Sequence, residues 1–373
     1  MEYTLYRIRW CFVVVVFFAI FTSEFSSCAY GIVNNIVTRY FNISPSSVDL
    51  LPSATFLVGS IVLVVMALFH NHIRVRAQCI ILTIAGLLGS ITVTLGFLHN
   101  DFYYFVLMGQ IFIGISAGIS YVIPVNLAAN WFSEKEVGTS IAIEFSAIHA
   151  GQMLSSLLYP LLLNDVLDSS KGKFDSDKVR NVFAIVLISS SLKKTFPDVP
   201  ESLTGTIRIA GNMLAVFFSV AAGPLVDRFG RYKLFSALPI AGLIPSCISI
   251  LLAHHFKSLK ALIFLYPLTM GLRGFSEVTL VEYLTEVTYP AEKVTLMCAH
   301  YIPVLVFQSI FIMVERVLME TFNETIAILV PLTASVVSLP MLMAVTSVYH
   351  RSNVNNSEKT PLQTKQTNKT CIK

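Results

Sequence analysis

The polar and apolar positions of this chain fall into long blocks rather than short alternations. Apolar stretches of about 20 residues, the length a helix needs to cross the hydrocarbon layer of a bilayer, recur from end to end. They occupy residues 10–33, 51–69, 77–98, 102–130, 139–163, 205–225, 234–254, 261–284, 295–315 and 325–348. No water inside a bilayer satisfies backbone N–H and C=O groups, so such stretches predict helices. An eleventh stretch, Asn181 to Leu192, stops at Lys193 and Lys194 and is short for a crossing. The first stretch follows Arg7 and Arg9 as the core of a secretory signal would, but it continues past Ser23 into CAYGIVNNIV, long enough to anchor uncleaved. The predicted fold class is all-α and polytopic. Five spans fall in 1–163, a linker with the short apolar segment in 164–204, five spans in 205–350, and a polar tail, expected to be disordered, in 351–373.

Composition narrows the function classes. Of 373 residues, 55% are hydrophobic and 13% charged, and the mean hydropathy is +0.71, which excludes an ordinary soluble enzyme. The 26 Lys and Arg against 22 Asp and Glu leave a scattered net charge of +4, too little for a nucleic-acid surface. Six cysteines form no CxxC pair, so no metal site or disulfide framework is read, and no cofactor is expected. The chain has no ATP-binding GxxxxGK(S/T) loop, and neither HExxH nor GxSxG to suggest an enzyme. The expected partners are the lipid bilayer and a small-molecule solute; the oligomeric state is not legible.

Orientation follows from the cations of the short loops. With the N-terminus cytosolic, that side collects Arg7, Arg9, Arg74, Arg76, Lys135, Arg228, Arg231, Lys233 and Lys293, against Arg39, Lys257, Lys260 and Arg316 opposite. Ten spans then return the C-terminus to the cytosol. The sequons at Asn42 and Asn323 fall on the outer side and are glycosylation candidates, whereas those at Asn355 and Asn368 lie in the tail. The surface membrane, rather than an organelle, is the expected location.

One loop carries a motif. Gly223-Pro-Leu-Val-Asp227-Arg228-Phe-Gly230-Arg231-Tyr-Lys233 resembles the GxxxDRxGR(R/K) loop of the major facilitator superfamily. Gly230 permits a tight turn, Asp227 can face a neighbouring helix N-terminus, and the cations hold the loop in the cytosol. A charged connector obeying the positive-inside tendency is the plainer alternative. In the first half, His70 to Arg76 (HNHIRVR) keeps the cations but has Asn71 for the aspartate and Arg74 for the glycine. Both loops must share one face, so an even number of crossings separates them.

Further segments narrow the resemblance: Arg9-Trp10, Asn35 to Tyr40, Ser47 to Leu51, Met108 to Gln110, Ala128 to Phe132, Glu136 to Thr139 and Glu282 to Pro290. Over residues 9–163, and more loosely 181–316, the chain resembles the feline leukaemia virus subgroup C receptor family of facilitators. The resemblance implies a transporter of small organic solutes, with choline, ethanolamine and haem as the family's associated substrates. It also implies departures: Ser27, ahead of Tyr30, stands where the family has tryptophan, and His149 and about Val304 stand where it has glutamines. Against the family's twelve spans, the sixth and most of the seventh are absent between Leu163 and Leu192. Parity then places Asn181 to Leu192 at the outer interface or re-entering, which leaves Lys171 to Arg180, Lys193 and Lys194 outside against the positive-inside tendency.

Ionisable and polar groups within spans are candidate site residues, because isolating a charge in hydrocarbon costs about 2.5–3.5 kcal/mol even on permissive scales. Glu24, Ser27, Cys28 and Gly31 recur at helical spacing, which suits either a cavity face or a close helix contact. Glu144 can take a proton or a cationic solute; His149, an imidazole, is a second candidate or a structural histidine. Arg273 and Glu277, one turn apart, form a structural pair or bind solute. Tyr30, Gln110 and Asn126 complete the cavity set, with Tyr121 and Pro124 marking a bend, and Glu282 and Glu286 are gating candidates beside the loop cations. The expected function is a secondary-active or facilitative transporter working by alternating access; the alternative is a truncated receptor or regulator that keeps the fold without transport.

Overall fold

The computed structural model describes residues 9–27, 30, 34–69, 72–133, 136–167, 201–321 and 324–345. Among them the chain forms twelve helices and no strand. They are α1 (Arg9–Ser27), α2 (Asn34–Phe41), α3 (Pro45–Phe69), α4 (Val75–Gly96), α5 (Tyr103–Ser120), α6 (Ile123–Trp131) and α7 (Val137–Leu167), followed by α8 (Glu201–Phe229), α9 (Tyr232–His255), α10 (Leu259–Val287), α11 (Lys293–Thr321) and α12 (Glu324–Ala344). Residues 168–200, which include Asn181 to Leu192, the sequon at Asn323 and the tail beyond 345 lie outside the described residues.

Seven segments are long and apolar enough to cross a membrane: α3, α4, α5 with α6, and the greater part of α7, α8, α9 and α11. The protein is an integral, multi-pass membrane protein. Of the remaining expected spans, α10 interrupts its apolar sequence with Lys260, Arg273, Glu277, Glu282 and Glu286. The stretch read as 102–130 is two helices. Tyr121 and Val122 make the turn, and Pro124 sits in the first turn of α6, where its missing N–H forfeits no helical bond.

Large apolar side chains point outward along the helices, among them Val15, Phe18, Leu68, Phe217, Phe264 and Phe307, as a lipid-facing surface requires. Inward, α7 packs on α1 and α8, α3 on α5 and α11, α8 on α10, and α9 on α10 and α12. The helices before residue 168, α1–α7, and those after residue 200, α8–α12, named as two groups by chain order alone, meet along the α7–α8 and α3–α11 seams. The core runs across both, from Ile20, Ile141 and Phe145 to Val278, Met297 and Leu305.

Glycines set the closeness of these crossings. A Cβ on Gly118 of α5 would lie 2.6 Å from the Gly59 carbonyl of α3, and one on Gly223 of α8 would lie 2.5 Å from the Gly138 carbonyl of α7. Side-chain contacts order the ends: Trp10 meets Phe132, Thr139 meets Asp227, and Gln78 meets Asn126. The loops after α3 and α8 therefore share one end of the bundle, and Asp49, Arg316 and Phe97 lie toward the other. Gly118→Val forces α3 from α5, and overpacking of this kind costs about 1–3 kcal/mol. Thermal unfolding of the purified protein should show a lowered midpoint, while Gly230→Asn, at a left-handed position with open space around it, should cost less.

Candidate central binding site

The central cluster begins at a close helix contact. A Cβ on Gly151 would lie 2.5 Å from the Phe21 carbonyl, so α7 and α1 touch there. The contact sets Gln152 beside Glu24, and the Gln152 amide donates to Glu24 Oε2 at 3.2 Å. One turn away on α7, His149 Nε2 lies 3.3 Å from Glu277 Oε2 of α10, an ion-pair distance at which no hydrogen bond is aligned. Arg273 Nε donates to the other Glu277 oxygen at 3.3 Å. Glu277 is thereby held by residues of both helix groups.

Aromatic rings stand beside the charges. The rings of Tyr121 and Tyr301 are 4.6 Å apart, Phe145 lies 6.2 Å from Tyr301, and the His300 ring is 4.8 Å from Tyr301. Tyr121 is within electrostatic reach of Glu24, Glu277 and Arg273, and Tyr301 and His300 within that of Glu277. Glu24 and His149 are buried, whereas the Glu277 side chain is 26% exposed and that of Arg273 56%. Carboxylates beside aromatic faces suit a cation, and the guanidinium adds a contact for an anionic or hydrogen-bond-accepting group.

The other expected cavity residues take other places. Gln110 Nε2 donates to Tyr30 Oη at 2.9 Å and its Oε1 accepts from Thr55 Oγ1 at 2.8 Å, a buried network that ties the turn at residue 30 to α3 and α5. Asn126 donates to Gln78 at 3.3 Å and accepts from Asn130, nearer the basic loops. Glu144 is fully buried, with Ser140 Oγ 3.4 Å from Oε1, and its Oε2 has no hydrogen-bond partner among the described residues. The side chain of Ser27 lies outside the described residues.

At the basic-loop end, Asp227 Oδ2 accepts from the Thr139 backbone N–H at 3.0 Å and from its hydroxyl at 2.9 Å, capping α7 from α8. Gly230 has φ +61°, the left-handed conformation that ends a helix most cheaply in glycine. Arg228 lies over the Phe229 ring at 5.7 Å, Arg231 is exposed, and Glu282 and Glu286 are buried. Asn42, at the other end of the bundle, is exposed.

Sequence reasoning did not single out the Tyr301 and Phe145 rings, nor one further pair. Asp49 of α3 accepts from Asn34 at 2.8 Å and takes both Nε and Nη2 of Arg316 from α11, the latter at 3.1 Å. Ser309 Oγ donates to the Ser53 carbonyl at 3.0 Å along the same seam. The available signal was an aspartate and an arginine each near the outer end of a predicted span.

A family profile described as Major Facilitator Superfamily matches residues 15–193. The fold matches crystal structures of a D-xylose–proton symporter (TM-score 0.66, 13% identity, 91% of this chain and 98% of that one) and of a bacterial homologue of the iron transporter ferroportin (TM-score 0.59, 12% identity, 89% and 98%). Over residues 15–193, 179 of its 373 residues, the chain is similar to the major facilitator superfamily. The chain is 24% identical over 164 residues to an uncharacterized MFS-type transporter of Caenorhabditis elegans, covering 44% of this chain and 28% of that protein. It is also 24% identical to the choline/ethanolamine transporter FLVCR2 of rat over 163 residues and of human over 162. Those matches cover 44% and 43% of this chain, but only 30% and 31% of FLVCR2.

Removing one partner of a buried charge pair costs about 3–5 kcal/mol, because the other charge is stranded. Arg316→Ala, at a pair with 21% and 9% exposed side chains, should fall toward the lower end of that range. Chemical or thermal unfolding should show Asp49→Asn with Arg316→Gln to be less damaging than the sum of the single changes; additivity would contradict the contact.

Proposed function

We propose that this protein carries a small organic amine across a membrane by alternating access, with the solute held among Glu24, His149, Arg273 and Glu277. The observation that supports this most is the His149–Glu277 contact, which joins the two helix groups beside the Tyr121–Tyr301 rings. A quaternary ammonium offers no hydrogen-bond donor, so carboxylates and ring faces are the groups that recognise it. Choline and ethanolamine fit that chemistry and are named for FLVCR2; haem is the second candidate drawn from the resemblance.

In this reading residues 1–163 and 205–350 are the two moving bundles, joined through 164–204, with a cytosolic tail over 351–373. The distribution of loop cations supports cytosolic N- and C-termini and a cytosolic basic-loop end, with Asn42 facing out, and the surface membrane is the proposed location. Gly223, Asp227, Gly230, Glu282 and Glu286 then serve closure on the cytosolic side.

Thermal-shift measurements on purified protein test the ligand. Choline at 100 times its Kd should stabilise the wild type by about 2.7 kcal/mol, and Glu277→Gln should abolish the shift. No shift with choline, ethanolamine or haem, with no uptake into proteoliposomes, would contradict transport and favour a receptor or regulator. Glycosylation acceptor sites engineered at 171 and 230 test topology: the first should be modified and the second not, and modification at 230 would invert the assignment.

A further inference from the structure

Glu277 is a carboxylate between two side-chain partners. Its Oε1 is taken by Arg273, and its Oε2 faces His149 Nε2 at 3.3 Å. His149 is buried, and Nε2 makes no hydrogen bond. The contact therefore has two strengths. With both ring nitrogens protonated it is an ion pair between the two helix groups; with the ring neutral, a carboxylate faces an uncharged imidazole, and far less holds α7 to α10.

Resting on the amine reading above, we propose that this protein exchanges protons for the amine, with the proton on His149 and the amine cation alternately occupying Glu277 Oε2. One oxygen cannot pair with both cations, and an ammonium group placed there would lie against imidazolium at like-charge distance. Binding the amine thus expels the proton from Nε2, and return of the empty carrier requires it back. One positive charge enters as one leaves, so the cycle is electroneutral and needs no oxidant or co-reactant.

The groups that face the pair are Glu24 of α1, Gln152 of α7, Tyr121 between α5 and α6, Arg273 of α10, and His300 and Tyr301 of α11. Among them His149 is the only one in ion-pair contact with Glu277 from the opposite helix group, so exchange between the bundles is assigned to it. His300 lies on the same helix group as Glu277 and within its electrostatic reach, which makes it the comparison residue.

Choline is the probe, because its fixed charge cannot carry a proton through the lipid. Release of one proton per choline bound requires the apparent Kd to fall about tenfold per pH unit wherever the choline-free protein holds that proton. Wild-type binding, followed by thermal shift between pH 5.5 and 8, should show that slope. His149→Gln should flatten it, whereas His300→Gln and the exposed-loop change His99→Gln should keep it. In proteoliposomes with an entrapped pH dye, choline uptake should alkalinise the lumen, and an acidic lumen should drive accumulation. Uptake without lumenal pH change, and a Kd independent of pH, would overturn the exchange and leave the amine reading standing. No choline binding at any pH would overturn both. A slope that persists in His149→Gln and vanishes in His300→Gln would move the proton to His300 and refute the assignment made here.

Discussion

Hydrocarbon solvates neither an ion nor an unpaired backbone group, and three arrangements of charges among the described residues answer to that constraint. Glu24 lies against Gln152, Glu277 is shared by Arg273 and His149, and Asp49 is held by Asn34 and Arg316. Two of these three arrangements cross from one helix group to the other. The same groups that would be costly in lipid are stable because the groups meet, so the charges make closure and closure makes the charges tolerable.

The two seams use different physics. Along α3–α11, an aspartate–arginine fork and a serine bonded to a facing carbonyl secure the end away from the basic loops. Along α7–α8, the helices approach at Gly138 and Gly223, and the Asp227 carboxylate replaces a missing backbone partner for the first turn of α7. Ionic contacts are strong when dry and weaken on hydration, whereas a glycine crossing holds by close contact alone. A bundle built this way opens more readily where water can reach its ions, which gives the seams unequal roles in the proposed alternating cycle.

Local features were legible in the sequence because local geometry makes them. Gly230 takes the turn conformation that its place in DRFGR calls for, Arg273 meets Glu277 one helical turn away, and the long apolar blocks are helices. What spans different helices was less legible. Tyr30 and Gln110 hydrogen-bond each other across helices, and His149 meets a carboxylate far along the chain, because helix packing, not periodicity, decides who faces whom. Tyr301 was hidden among other aromatics of an apolar span, with no spacing to mark it as the ring that faces Tyr121.

The central claim is that the two helix groups rock about the Glu277 contact. Spin-label pairs placed across the α3–α11 seam near its Asp49 end and across the α7–α8 seam near its Asp227 end, read by pulsed electron resonance with and without choline, test it most directly. The account predicts opposed changes, one end widening as the other narrows. Distances that stay fixed at both ends, or widen together, would contradict it.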